Sequence, residues 1–296
     1  MSDQAQSLRQ LVSSLDKYRL PKRTGQARIV TVASGKGGVG KSNITLNLAL
    51  ALQSLGRKVL LFDADIGMAN IDVLMGTSST YNLSHVLRRE KTMTQIVQKG
   101  ASSLPFVPGG SGVKELFSLT PADLDYFMEE IELLATDMDY VFFDTGAGLS
   151  MENLKFIMAA DECLIVTTPE PTSITDAYAL IKVVTGNQSD TKFKIIVNRA
   201  DNDNEARLVA DKISLVTSRF LNLDIPLLGY ISDDPHVSEA VKKQVPFSLG
   251  FPGCPATRDL VRLAHHYAGM ALPEQNGGAV TGIKGFMQKW LRLTTK

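Results

Sequence analysis

Residues 28–46 read RIVTVASGKGGVGKSNITL, and this stretch decides the fold. Its first part, 29–33, is an unbroken apolar run. Runs of that kind belong to strands buried on both faces, as in a parallel sheet. Its last part opens a helical pattern over 41–55. Between the two, Gly35-Lys36-Gly37-Gly38-Val39-Gly40-Lys41-Ser42 fits G-x-x-x-x-G-K-[ST]. Glycines at these places let backbone N–H groups curl around a polyphosphate. The helix start adds its positive dipole end. Lys41 is set to reach the β- and γ-phosphates, and the Ser42 hydroxyl to ligate Mg²⁺. A strand, a glycine-rich turn and a helix in that order are expected to bind a nucleotide.

Outward from this loop the same alternation continues. Apolar runs at 58–62, 104–107, 139–143, 163–167, 193–197 and 225–230 read as further strands. Helical patterns occupy 82–98, 121–136, 150–159, 172–186, 203–221, 234–243 and 255–270. Strands separated by helices predict an α/β fold, doubly wound, with a mostly parallel sheet of seven or eight strands. Residues 1–27 form a polar, basic segment with a short apolar stripe (Ala5, Leu8, Leu11, Val12, Leu15). The expected nucleotide domain is 28–271, followed by a Gly-rich linker over 272–282 and an amphipathic segment over 283–296.

Composition narrows the function classes. The 296 residues carry 31 Lys and Arg against 31 Asp and Glu, so no bulk positive field favours direct nucleic-acid binding. The two cysteines, Cys163 and Cys254, are too far apart in sequence for a CxxC metal or cluster site. Nothing reads as a signal peptide or a membrane span, which makes a cytoplasmic location the expectation.

Carboxylates at the ends of two strands complete the site. Run 58–62 ends in Asp63-Ala64-Asp65, and run 139–143 ends in Asp144-Thr145-Gly146-Ala147-Gly148. Such positions line the ligand crevice of an open α/β sheet. Asp144 fits a carboxylate that holds Mg²⁺ through water. Asp63 is expected near the Mg²⁺ shell, with a helix-cap role left open. After 193–197 come Asn198-Arg199-Ala200-Asp201. Asn198 can make two hydrogen bonds to an adenine edge. The same letters also suit a guanine site with Asp201, so the base remains open at this point.

Lys36, early in the loop, makes the motif similar to the deviant Walker A loop of the MinD/ParA family of ATPases. The resemblance covers about residues 28–271. It implies an ATP-dependent homodimer in which Lys36 reaches the phosphates of the other subunit, and an Asp65 that positions the attacking water. Lys36, Lys41 and Asp65 are thus the expected catalytic groups. The loop Gly35–Ser42 with Asn43, Asn198 and Arg199 is the expected nucleotide contact, and Ser42, Asp63 and Asp144 the expected metal set.

Two pieces resemble the FlhG (FleN) branch of that family, the regulators of flagellar number and position. They are Asp3-Gln4-Ala5 with Leu8 and Arg9, and the run Pro169–Tyr178 together with Asn43. This resemblance implies two partners: an FlhF-type GTPase, which the N-terminal motif stimulates, and a flagellar transcription activator. Septum placement of the MinD kind, and a non-hydrolysing effector, are the alternatives.

The C-terminal segment adds a membrane expectation. Ile283, Phe286, Met287, Trp290 and Leu291 share one helical face, and Lys284, Lys289, Arg292 and Lys296 surround it. A basic amphipathic helix with Trp and Phe suits an anionic membrane surface, and MinD resembles this arrangement. The protein is therefore expected at the inner face of the cell membrane. The alternative is that the stripe docks on the protein's own domain, and both hold if the ATP dimer releases the helix.

Overall fold

A computed structural model describes residues 26–65, 70–110, 121–187, 189–269 and 282–294. The expected partner motif, Asp3 to Arg9, lies outside the described residues, as does most of the 272–282 linker.

Eight strands form one sheet. They are β1 (Arg28–Ser34), β2 (Val59–Ala64), β3 (Gln98–Lys99), β4 (Pro105–Val107), β5 (Tyr140–Ala147), β6 (Glu162–Thr167), β7 (Lys192–Ala200) and β8 (Leu227–Ser232), in the order β3-β4-β2-β5-β1-β6-β7-β8. All pairings are parallel except β3 with β4 at the edge. Every residue of β1 is buried, as its unbroken apolar run demands. β1 lies between β5 and β6, while its own connection leads to β2 beyond β5. The chain thus winds both ways from β1, and the crevice opens at that switch point.

Side chains alternate between two helix layers. Tyr140 and Phe142 of β5 face α1 (Lys41–Ser54) and α11 (Pro255–Gly269). Val141 and Phe143 face α5 (Pro121–Ala135) and α6 (Met151–Ala159). On that same side α7 (Pro171–Gly186) and α8 (Asp203–Leu221) cover β6 and β7. Short helices α2 (Ile71–Leu74), α3 (Leu83–Leu87), α4 (Met93–Ile96), α9 (Pro235–Lys242) and α10 (Phe247–Gly250) fill the connections.

The helix expected over 82–98 is two short helices, α3 and α4, followed by β3. The break has a local cause. Arg89 adopts φ 60°, a left-handed conformation that ends α3. Thr92 then starts α4 with a capping box through Gln95.

The last helix, α12 (Gly282–Thr294), departs most from expectation. Ile283, Phe286, Met287 and Trp290 are all buried, and Leu291 packs beside them. Phe286 stacks on Phe143 with ring centroids 4.7 Å apart, and Trp290 meets Phe156 at 6.0 Å. The stripe read as membrane-facing is therefore docked on the protein's own domain. The reason is supply: Phe62, Phe127, Phe143 and Phe156 present an aromatic face, and the stripe of α12 fits onto it. Lys284 and Lys289 remain exposed. Among the described residues, no helix is long and apolar enough to cross a membrane.

Candidate functional site

β1 delivers the phosphate loop and α1 receives it. Two glycines are required by close approach. A Cβ on Gly35 would lie 2.3 Å from the backbone carbonyl of Asp176 in α7. Gly40 has φ 90°, and a Cβ there would lie 2.3 Å from the Asn198 amide nitrogen. The loop is thus held between α7 and β7. Gly37 and Gly38 are exposed at its tip, and the Val39 side chain is buried in the core. Val39 therefore offers only backbone to a ligand.

Lys41 is 7 % exposed and turns into the site. Its Nζ donates to Asp144 Oδ1 at 2.8 Å and lies 3.2 Å from Ser42 Oγ. Thr45 Oγ1 is also 2.8 Å from Asp144 Oδ1. Sequence reading missed Thr45, although it follows Lys41 by one helical turn and so shares its face. Asp144 Oδ2 is buried with no hydrogen-bond partner among the described residues. A buried carboxylate oxygen without a partner fits a Mg²⁺ shell. Ser42 and Asp144 are the residues that would hold the ion, and in that place it would neutralise phosphate charge.

β2 and β5 place Asp63 directly beside Asp144 in register. Burial, and then the Asp144 charge, push the Asp63 carboxyl up to about 7. Two buried carboxylates facing one lysine leave an excess of negative charge, which also suits a divalent cation. Asp63 itself differs from its expected metal role. Its Oδ1 accepts the Asp65 N–H at 3.2 Å, and its Oδ2 accepts those of Asn70 at 3.0 Å and Ile71 at 3.3 Å. The cap reading left open for Asp63 is the one its contacts match.

Asp65 is half-buried at the end of β2. Burial raises its pKa; Lys41 opposes the shift and Asp144 adds to it. A Cβ on Gly146 would lie 3.2 Å from Asp65 Oδ1, so Asp65 stands against the end of β5. The fold thus brings together Lys41, Ser42, Asp63, Asp65 and Asp144 from three separate stretches of chain.

Lys36 lies apart from this group. Its Nζ donates to Glu170 Oε2 at 2.7 Å and to Thr172 Oγ1 at 2.9 Å, on the turn into α7. The ion pair holds Glu170 below the usual carboxylate range. Sequence reading gave Glu170 and Thr172 no role.

At the base end, Asn198 Nδ2 donates to the Val39 carbonyl at 2.7 Å. One of its two amide hydrogens is thus committed to the loop, and the other hydrogen and Oδ1 are left for a ligand. Arg199, at φ 56°, is exposed beside it. Asn43 sits half-buried on the first turn of α1, where its backbone carbonyl accepts from Asn47. Asp234 organises the loop that follows β8. Its carboxylate accepts the N–H of His236 in α9 at 3.0 Å and that of Ala256 in α11 at 3.1 Å.

Known proteins share this fold. The chain is 36% identical over 251 residues to the antiactivator FleN of Pseudomonas aeruginosa, spanning 85% of this chain and 90% of that one. It is 32% identical over 298 residues to the flagellum site-determining protein YlxH of Helicobacter pylori, spanning 99% of both. Other relatives carry the names of septum-site-determining proteins. Among solved structures, the septum site-determining protein MinD of Pyrococcus horikoshii, complexed with Mg-ADP, superposes with a TM-score of 0.65 at 26% identity, covering 80% of this chain and 94% of that one. The CobQ/CobB/MinD/ParA nucleotide binding domain matches residues 30–247. With its P-loop, its Asp144 and its doubly wound sheet, the chain belongs to the MinD/ParA family of ATP-binding, ATP-hydrolysing P-loop proteins.

Proposed function

We propose that the protein is an ATP-driven dimerisation switch that sets the position of a cell structure. One observation carries the reading: Lys36 is turned out of its own phosphate cradle onto Glu170 and Thr172, while Lys41 fills that cradle. A second loop lysine at the rim is free to be supplied to a neighbouring subunit, as an arginine finger is supplied in trans. ATP with Mg²⁺ would then join two subunits, and hydrolysis by a water that Asp65 orients would part them. The base is adenine on this reading. Asn198, fixed against Val39, keeps one N–H and Oδ1, the donor and acceptor pair that an adenine edge takes. Size measurement with ADP and with non-hydrolysable ATP tests the switch. A dimer is expected only with the triphosphate, and only when Lys36 is intact. The same size in both states sinks the proposal.

Two outputs fit such a switch. Septum-site placement has the broader support among named relatives and similar folds. Flagellar placement is supported by the FleN and YlxH relatives and by the Asp3–Arg9 motif, through which an FlhF-type GTPase would be stimulated; a flagellar transcription activator is the second partner on this reading. Deleting the gene distinguishes them: misplaced septa speak for the first, altered flagellar number with normal septa for the second. Association with an anionic membrane requires α12 to leave its groove, so it is proposed for the ATP state alone.

A further inference from the structure

Asp63 is 1 % exposed and precedes Asp65 by two residues at the end of β2. Its three amide partners stand at two places: Asp65 at the end of β2 bonds to Oδ1, and Asn70 and Ile71, where α2 begins, bond to Oδ2. Asn70 occupies the N-cap of α2, yet its own side chain makes no capping bond. The orphan donors of that helix start are satisfied instead by a carboxylate eight residues upstream.

We propose that Asp63 is a positioning residue: its carboxylate fastens the Asp65 backbone and the start of α2 to the sheet and thereby fixes the direction of Asp65. The proposal rests on the reading of Asp65 as the water-orienting acid. An acid with that task has to be held to within about 0.5 Å. Asp65 follows the last strand residue, so its backbone is no longer held by the ladder, and the bond from its N–H to Asp63 is what replaces that restraint. Only a carboxylate can serve. The donors approach both oxygens, and an amide would turn an NH₂ toward one set of N–H groups. The bonds also compete with metal binding. Oδ2 already accepts two N–H groups, which occupies both of its lone pairs.

The test is Asp63→Asn in the full chain, read three ways. ADP affinity and KM for ATP are expected to stay nearly unchanged, while kcat falls on the order of 10²-fold, as for a misplaced reacting group. The Mg²⁺ concentration that gives half-maximal activity is expected to stay the same. Amide hydrogen exchange at Asp65, Asn70 and Ile71 is expected to accelerate. Unchanged exchange, or activity restored by raising Mg²⁺, overturns the proposal. If the variant does not fold, the unaltered protein still decides. Its amides at 65, 70 and 71 are expected to be protected, and exchange at unstructured-peptide rates overturns the clamp. Normal hydrolysis by Asp65→Ala, with protection at 70 and 71 intact, would remove the role of Asp65 and leave the clamp standing.

Discussion

Lys36 and Lys41 share one loop and one charge, yet their surroundings make them different tools. Lys41 is buried against Asp144, with Asp63 and Asp65 close by. Removing one partner of a buried pair leaves the other charge uncompensated, typically at about 3–5 kcal/mol. Lys41→Ala is therefore expected to lose nucleotide binding and also to lower the midpoint of denaturant unfolding without any nucleotide present. Lys36 is half-exposed on Glu170 at the surface, where ion pairs contribute little. Lys36→Ala is expected to leave the unfolding midpoint and ADP binding in place while ATP-driven dimerisation is lost; equal loss of ADP binding would show that Lys36 acts on its own subunit's nucleotide. The contrast was half legible in the sequence. Lys41 and Ser42 lie in one contiguous motif, and Thr45 falls one turn further on, so local spacing reaches all three. Glu170 lies 134 residues from Lys36 and becomes its neighbour only when α7 packs against Gly35. No local pattern encodes such a contact.

At the scale of elements, α12 and the Asp234 junction carry the stability arguments. A buried Phe truncated to Ala typically loses about 3–5 kcal/mol. Phe286→Ala is expected to destabilise the whole domain by that order in denaturant unfolding, because Phe286 stacks on Phe143, next in sequence to Asp144. A helix lying apart from the domain would leave the midpoint unmoved. Its amphipathic stripe was plain in the sequence, but an apolar face says only that something covers it. The aromatic groove of Phe62, Phe127, Phe143 and Phe156 comes from four distant stretches, so the choice between membrane and domain was not local information. Asp234 joins α9 to α11 through one carboxylate. Burial pushes its pKa up, but the N–H groups of Ala256 and His236, with the His236 ring and Cys254, outweigh this and hold it at about 2. A carboxyl lowered on folding stabilises above its unfolded value of 3.8, and that contribution fades as pH falls toward 2. Asp234→Ala is thus expected to cost about 0.5–2 kcal/mol at neutral pH, as loss of a cap does. The gap from the unaltered protein should close between pH 4 and pH 2. A gap that persists at pH 2 would locate the effect elsewhere.

For the whole molecule, the sheet was the most legible part. Central strands are buried on both faces and show as plain apolar runs, and the seven expected runs all lie in the sheet. β3 was not legible, because two residues at an antiparallel edge carry no hydrophobic pattern. The docking of α12 predicts a global readout. Trp290 is the single tryptophan and is 1 % exposed, so its emission reports the state of that helix. If the ATP dimer releases α12, non-hydrolysable ATP is expected to shift the emission to the red, and anionic vesicles are expected to bind protein in that state alone. An unshifted spectrum with vesicle binding would show that the membrane is met by another surface.

The position of α12 also bears on how the molecule is made. Every strand and helix that it covers precedes it in the chain, and the core it closes draws on residues from Ala27 to Trp290. During synthesis the earlier elements emerge and pack first. Until Ile283 to Trp290 have cleared the ribosome, Phe143 and Phe156 present a naked aromatic surface to the cytosol. The nascent protein is therefore adhesive until α12 emerges, and a message broken before Gly282 would yield a domain that sticks rather than a merely shorter one.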